Sequence, residues 1–227
     1  MRPSSLHYFP LTGPFLIALF FIIGFIIVLV EIGVLSYAYE KMGVGRQYVF
    51  GLLVFSLLGS YVNIPVAELP AKDVLSNQEI SFFGMRYVIP LAEQRPRTMV
   101  AINLGGAVIP FFLTLYLLVK HGQYARGLIA VTVVTAIIHW LARPVRGMGI
   151  AVPIFIPPLA AATIAFALAP KSAPSLAYIS GTLGTLIGAD LLNLGRIQGL
   201  GAPIVSIGGA GTFDGIFMTG ILAVLLA

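Results

Sequence analysis

Long uninterrupted apolar runs constrain this chain more than any other feature of its sequence. The run from about Phe15 to Tyr37 contains a single charged residue, Glu31, and exceeds the roughly 20 residues that a helix needs to cross a bilayer. Of the 227 residues, 59% are hydrophobic and only 9% are charged, which no soluble domain of this size requires. We therefore expect a polytopic membrane protein that is almost entirely embedded in lipid.

The apolar runs predict an all-α fold with about seven transmembrane helices in one transmembrane domain, residues 1–227. The predicted spans are approximately 15–37, 48–66, 99–119, 127–141, 150–169, 175–194 and 203–227. Between the second and third spans lies a short polar connector, residues 67–98, with β-branched runs around Gly84 that suggest a β-hairpin. This connector either lies on the membrane surface or provides an edge strand or lid that receives a partner chain.

Composition excludes several classes of function. The chain has no cysteine, and His7, His121 and His139 are scattered without metal-ligand spacing, so we expect no metal and no cofactor. The net charge of +5 comes from Lys and Arg in short loops, where such residues bind lipid headgroups and set topology, so we expect membrane lipids and no nucleic acid as partners. The distribution of these cations between the loops favours a cytoplasmic N-terminus.

Three acidic residues fall within predicted spans, and an acid at membrane depth indicates a functional site. Glu31 lies near the end of its helix, where it can reach the interface. Asp190 lies late in the sixth span and Asp214 about midway along the seventh, so two consecutive antiparallel helices can bring them to similar depth. In a regular α-helix, Asp190 shares a face with three leucines, Leu183, Leu186 and Leu194.

The two aspartates satisfy the electrostatic requirement of an aspartic protease dyad. Apolar surroundings and mutual repulsion would leave the pair sharing one proton, so that one carboxylate accepts a proton from water while the other donates one to the substrate carbonyl. Gly211 precedes Asp214 by one helical turn and, with Gly215, forms a small-xxx-small pair that suits close helix contact or a cavity for water or peptide. Residues 175–227 are therefore the candidate catalytic helix pair.

A set of motifs extends over nearly the whole chain. These are "NIP" (residues 63–65), "AINLGGAVIP", "FIPPLAA", "GTLIGADLLNL" and "GGAGTFDGIF". In this combination the chain resembles a prokaryotic integral-membrane family of unknown function. The resemblance implies a multi-pass protein of the prokaryotic inner or plasma membrane.

The last quarter of the chain resembles the GxGD-type intramembrane aspartyl proteases, the presenilin, signal-peptide-peptidase and prepilin-peptidase group. The resemblance makes Asp190 and Asp214 the catalytic pair and Gly209 and Gly211 the motif glycines. Two residues more than in the family separate the glycines from Asp214, and Ala189 precedes Asp190 where presenilins have Tyr. The family's Pro-Ala-Leu motif follows the second Asp, whereas the similar stretch here, residues Pro157, Pro158 and Leu159, precedes both acids.

Two functions remain open on the sequence. The first is a hydrolase that cleaves a transmembrane or membrane-proximal peptide with Asp190 and Asp214. The second is a proton- or cation-coupled transporter or channel, in which the same acids bind the coupling ion and broken helices at 103–110 and 208–211 supply backbone groups. A short similarity between "INLGGAVIPFF" and "VSIGGAGTFDGIF" would fit an internal repeat of such a transporter.

Overall fold

The computed structural model describes residues 13–70, 79–82, 85–88, 97–145, 149–197, 204–209 and 215–227. The helices in these ranges are α1 (Gly13–Lys41), α2 (Arg46–Gly59), α3 (Ile109–His121), α4 (Tyr124–Leu141), α5 (Ile156–Leu168), α6 (Ala173–Thr185), α7 (Leu194–Ile197) and α8 (Gly215–Leu226). Two single turns of π-helix adjoin them: the first π-turn, Leu104–Val108, leads into α3, and the second π-turn, Leu186–Asp190, follows α6. Pro157 and Pro158 stand in the first turn of α5, where their missing N–H groups cost no hydrogen bond.

Short strands connect the helices. They are β1 (Asn63–Pro70), β2 (Glu79–Phe82), β3 (Met85–Val88), β4 (Arg97–Asn103), β5 (Arg143–Val145), β6 (Gly149–Ala151) and β7 (Ile204–Ile207). Three of them form a sheet in the order β1-β4-β7, in which β1 is antiparallel and β7 parallel to β4. Strands β2 and β3 form an antiparallel pair within the connector, and β5 pairs with β6.

The sheet brings distant parts of the sequence to one edge. Asn63 at the start of β1 lies opposite Asn103 at the end of β4, and Ala101 lies opposite Ser206 in β7. The register between β1 and β4 shifts between Pro65 and Ala67, which is the position of a β-bulge. Proline lacks the N–H that a regular ladder needs, and β1 is an outer strand of this sheet, so both the bulge and the position fit Pro65.

The chain is mainly helical, as predicted, and it also contains this small sheet, which the prediction of an all-α fold omitted. The second predicted span continued to residue 66, whereas α2 ends at Gly59 and β1 begins at Asn63. Likewise, the third and seventh predicted spans begin with the strands β4 and β7. Each of the three segments contains both Ile and Val, which favour a strand as strongly as a buried helix when the run is short.

Several helices match the dimensions of a bilayer. Within the described ranges, three helical stretches are long and apolar enough to cross a membrane: Leu104–His121, Tyr124–Leu141 and Pro170–Arg196. Their outer surfaces carry large apolar side chains such as Phe112, Leu128 and Trp140, each more than 60% exposed in the isolated chain. A surface of this kind is suited to contact with lipid, and these helices indicate a membrane protein.

Helix α6 occupies the centre of the bundle, where it packs against α3, α4, α5 and α8. At its glycines, the neighbouring helices approach closely. A Cβ atom on Gly184 would lie 2.5 Å from Val134 Cγ1 in α4, and one on Gly181 would lie 3.3 Å from side-chain atoms of both Ala161 in α5 and Thr219 in α8. The glycines of α6 therefore permit its close packing against the neighbouring helices.

The bundle has two chemically different ends. One, here called the cationic end, carries exposed or half-buried basic residues at helix termini: Lys41, Arg46, Lys120, Arg126 and Lys171. There, Lys41 Nζ donates to Leu225 O at 3.3 Å, and Lys120 Nζ donates to Gly43 O at 2.5 Å. The opposite end, here called the sheet end, carries β1-β4-β7, both π-turns and the start of α8. The candidate site lies at the sheet end.

Candidate functional site

Asp190 is the last residue of the second π-turn and is half-buried. The preceding Gly188 and Ala189 are buried, because the π-turn lies directly against α4. A Cβ atom on Gly188 would lie 2.7 Å from Thr135 O and 3.2 Å from His139 N, so only glycine permits this approach of the two backbones. The position of Asp190 therefore depends on a glycine two residues before it.

Asn193 and His139 stabilise the backbone of the second π-turn. Asn193 Nδ2 donates to Gly188 O at 2.9 Å and to Ala189 O at 3.0 Å. His139 Nδ1 lies 3.3 Å from both Gly188 O and Asn193 Nδ2. Because the two protons of Asn193 Nδ2 already point to two carbonyls, the consistent neutral tautomer of His139 carries its proton on Nδ1 and donates it to Gly188 O. His139 thus packs against the candidate site, a role that its isolated position in the sequence gave no reason to expect.

The second π-turn changes the helical face on which Asp190 lies. A π-turn inserts one residue into an α-helix, so Asp190 takes the position that residue 189 would have in an uninterrupted helix. That position continues the i, i+4, i+7 row formed by Tyr178, Thr182 and Thr185. The sequence prediction assumed a regular helix and therefore assigned Asp190 to the face of Leu183, Leu186 and Leu194.

The segments that flank the two predicted acids pack together. Leu186 and Leu194, on either side of Asp190, pack against a buried cluster that contains Ile207 and Ile216. Ile207 ends β7 and Ile216 lies in the first turn of α8, so these two residues flank positions 210–214. Asp214 and Gly211 themselves lie outside the described residues.

The contacts between α6 and α8 give their relative register. Gly181 faces Thr219 and Ala223, while a Cβ atom on Gly220 would lie 2.5 Å from Thr182 Oγ1. The helices run antiparallel, since Leu186, just after α6, packs in one cluster with Ile216 at the start of α8, while Ala173 at the start of α6 shares another cluster with Ala227 just after α8. The end of α6 that carries Asp190 is therefore the end at which α8 begins.

Of the other predicted site residues, some are closely packed and some lie at the surface. Gly209 leaves room for the Ser206 side chain, since a Cβ atom there would overlap with it and lie 3.0 Å from Asn63 Oδ1. Gly215 is exposed, and a Cβ atom added to it would meet no described residue within 4 Å, so it makes no close contact with any of the described helices. Pro157 and Pro158 are buried in the first turn of α5, and Leu159 beside them is 51% exposed.

A polar cluster at the edge of the sheet was not recognised as a unit from the sequence. The fully buried Asn103 donates through Nδ2 to Ser60 O at 2.7 Å and to Asn63 Oδ1 at 3.0 Å, and its Oδ1 accepts from Gly106 N at 2.8 Å. Ser206 Oγ donates to Asn63 Oδ1 at 2.5 Å. The sequence contains this cluster as two separate motifs, "NIP" and "AINLGG", whose asparagines lie opposite each other in the sheet.

Close backbone contact accompanies this polar cluster. Gly208 has φ of +73°, a conformation that suits glycine, and a Cβ atom there would lie 2.6 Å from Ala107 Cβ. The two similar segments noted in the sequence therefore meet: the strand-glycine junction after β7 packs on the one after β4. Within the described ranges, no group of three or more His, Asp or Glu side chains is placed to hold a metal ion.

Comparison with known proteins places the chain in a family without assigning an activity. No curated protein and no solved structure matches it. A family model described as "Protein of unknown function (DUF1614)" matches residues 57–226, which include α3 to α8, the sheet and Asp190. Since the match covers most of the chain, the protein belongs to the DUF1614 family.

Proposed function

We propose that this protein is an intramembrane aspartyl protease-like hydrolase that cleaves peptide bonds in or near the membrane with Asp190 and Asp214. The observation that supports the proposal most strongly is the shared cluster of Leu186, Leu194, Ile207 and Ile216. These residues flank the two acids in sequence and pack together at the sheet end. The antiparallel register of α6 and α8 supports a similar depth in the bundle for the two acids.

The surroundings of Asp190 suit acid–base chemistry. The residue is half-buried, so water can reach it while neighbouring protein atoms lower the local dielectric constant. In the proposed reaction, one carboxylate removes a proton from water, and the oxygen of that water attacks the peptide carbonyl carbon. The other carboxylic acid donates its proton to the carbonyl oxygen. Collapse of the tetrahedral intermediate breaks the C–N bond, and the leaving amine takes up a proton.

The proposal includes a topology of about seven spans in the cell membrane. Helix α1 is 29 residues long, which is sufficient for one crossing, and α2, α5 and α8 are shorter apolar helices that adjoin the three long stretches. The sheet has outer strands with exposed backbone, which lipid does not tolerate, so we place it at the membrane surface. A peptide substrate would then reach the acids from the surface that carries the sheet.

The experiment measures cleavage of a library of membrane-spanning peptides by the purified protein in lipid nanodiscs, across a range of pH. We expect Asp190→Asn and Asp214→Asn each to abolish cleavage, and the double variant to be little worse, because members of one catalytic unit are strongly non-additive. Glu31→Gln is the matched control, since it removes an exposed acid from a predicted span. Unimpaired cleavage by either aspartate variant would disprove the dyad.

The alternative is a proton- or cation-coupled transporter or channel that uses the same acids. It is favoured by one specific observation, the contact between the two glycine-rich interruptions around Gly106 and Gly208. Interruptions of this kind leave backbone groups free to bind ions, as broken helices do in transporters. A wild-type protein that cleaves no peptide but carries a pH-dependent ion flux in liposomes would establish this alternative.

A further inference from the structure

The exposed aromatic residues at the two ends of α4 give the height of its lipid-facing surface. Tyr124 at the cationic end is 60% exposed, and Trp140 at the sheet end is 83% exposed. Such tyrosine and tryptophan side chains mark the two membrane–water interfaces. Counted along the helix, they are about 24 Å apart. Arg126 and His139 lie just inside them, and the stretch between these two residues carries no charge and is about 20 Å long.

Helix α2 gives a similar height at another part of the surface. Tyr48 lies in its first turn and Tyr61 follows its last residue, and both side chains are exposed. Counted along the chain, they are about 20 Å apart. The residues between them carry no charge, and two of them, Phe50 and Phe55, are among the most exposed apolar side chains of the described residues. This surface is therefore suited to lipid tails and has an aromatic residue at each end.

Both heights are smaller than the hydrocarbon core of an ordinary bilayer, which is about 30 Å thick. Helices α5 and α8 are also short, with 13 and 12 residues. A helix that is shorter than the core cannot lengthen, so the surrounding bilayer becomes thinner or the exposed polar ends enter hydrocarbon. The difference of roughly 6–10 Å is therefore a property of the lipid around this protein as much as of the protein itself.

Helix α1 is the exception, because its 29 residues extend over about 43 Å. A helix that is longer than the core can tilt, so its length is compatible with a thin bilayer. Near its C-terminal end, Ala38 and Met42 are buried in the bundle. In its first half, Phe20 and Phe25 are exposed, so the described helices do not hold that half against the bundle. The short helices therefore set the thickness.

We propose that the surface of α2 and α4 fits a thin bilayer, with a hydrocarbon core of about 20–24 Å, and that the protein collects short-chain lipid or thins the membrane around these helices. The proposal rests on helix lengths and on the positions of exposed aromatic residues, and it is independent of peptide cleavage and of ion transport. Thinning by this amount brings water and lipid headgroups roughly 3–5 Å closer to the bilayer centre on each side.

The first test uses the wild-type protein. Trp140 is the only tryptophan of the chain, so its fluorescence reports on the lipid beside one end of α4. The purified protein is placed in phosphatidylcholine vesicles that mix a reference lipid of eighteen-carbon chains with a brominated lipid of fourteen, eighteen or twenty-two carbons, since bromine quenches tryptophan on contact. We expect the fourteen-carbon lipid to be enriched several-fold beside Trp140 relative to the eighteen-carbon lipid. Equal quenching at all three chain lengths, or enrichment of a longer lipid, would overturn the proposal.

The second test changes the height of α4. Arg126 is exposed in the first turn of this helix, and Arg126→Leu extends the uncharged stretch by about 5 Å to the beginning of the helix. We expect the enrichment of fourteen-carbon lipid beside Trp140 to fall at least about twofold in this variant. Arg126→Lys keeps the charge in place and is the matched control, with enrichment as in the wild-type protein. The same lipid preference in both variants would show that the height of α4 does not set it, and would overturn the proposal.

Discussion

At the scale of single residues, glycines determine how closely α6 and its π-turn approach α4. Gly184 and Gly188 have no space for a methyl group, because the atoms in the way belong to Val134 and to the backbone at Thr135 and His139. Gly195 and Gly215 have open space instead. The same residue type therefore has two different roles within one short region, and sequence spacing alone does not separate them.

We predict that Gly188→Ala destabilises the protein and displaces Asp190. The new Cβ atom would lie 2.7 Å from Thr135 O, and a backbone atom cannot rotate away, so overpacking should cost on the order of 1–3 kcal/mol. Thermal unfolding in detergent measures the effect. Gly215→Ala is the control, because it meets nothing and alanine favours the helix. Equal Tm values for the two variants would contradict the packing.

Asn103 is the second residue whose removal should have a large effect. Asn103→Leu leaves Ser60 O and Gly106 N without their partners in a buried setting, and each unsatisfied group costs about 1–3 kcal/mol. We expect the free energy of unfolding to fall by several times the effect of Ser60→Ala. The Ser60 hydroxyl bonds only the local Leu57 O at an exposed site. Denaturant titration of both variants tests this. An Asn103→Leu variant with the wild-type free energy of unfolding would refute the structural role of the cluster.

At the scale of elements, the sequence predicted the helices better than the strands. The predicted spans capture most of α1, α4 and α6 because their apolar runs are long and have no competing structure. Strands β1, β4 and β7 are short segments adjoining helices, and their partners lie far away in the sequence. No local pattern specifies such pairing, since the strand state depends on the neighbours in the sheet.

The candidate site was predictable only in part for the same reason. Asp190 was identified from the rarity of acids at membrane depth. Its helical face was predicted for a regular helix, whereas a π-turn ends at Asp190, where Gly188 contacts α4 and Asn193 bonds the π-turn carbonyls. The roles of His139 and Asn193 arise from that same contact, and neither has a spacing motif that would reveal it.

At the scale of the whole molecule, the distribution of Lys and Arg residues predicts how the protein is oriented in the membrane. The grouping at the cationic end is supported by the contact of the end of α1 with the end of α8, through Lys41 and Leu225. Arg143, after α4, and Arg196, in α7, lie at the sheet end. By the predicted spans, the sequence assigns eight Lys and Arg residues to this side of the membrane and five to the other, so the positive-inside rule predicts a cytoplasmic sheet end.

We predict the outcome of labelling single cysteines in intact cells. The chain has no native cysteine, so each introduced thiol reports alone. Lys120→Cys and Lys171→Cys, at the cationic end, should react with a membrane-impermeant maleimide from outside the cell. Ile64→Cys in β1 should react only after the membrane is opened. Labelling of all three from the same side would disprove the arrangement of ends, and a complete reversal would disprove only the orientation.

The parallel pairing of β4 with β7 has a consequence for how the protein is made. The bond between Ser206 Oγ and Asn63 Oδ1 joins positions that are 143 residues apart, so the third strand reaches the sheet only after α3 to α7 have been synthesised. Until then, β1 and β4 form a two-stranded ribbon whose open side can pair with other chains. Biogenesis therefore leaves this edge exposed during the time needed to translate roughly a hundred residues, at a ribosomal rate of about 5–20 residues per second. The last strand to leave the ribosome is the one that closes the sheet and ends this vulnerable interval.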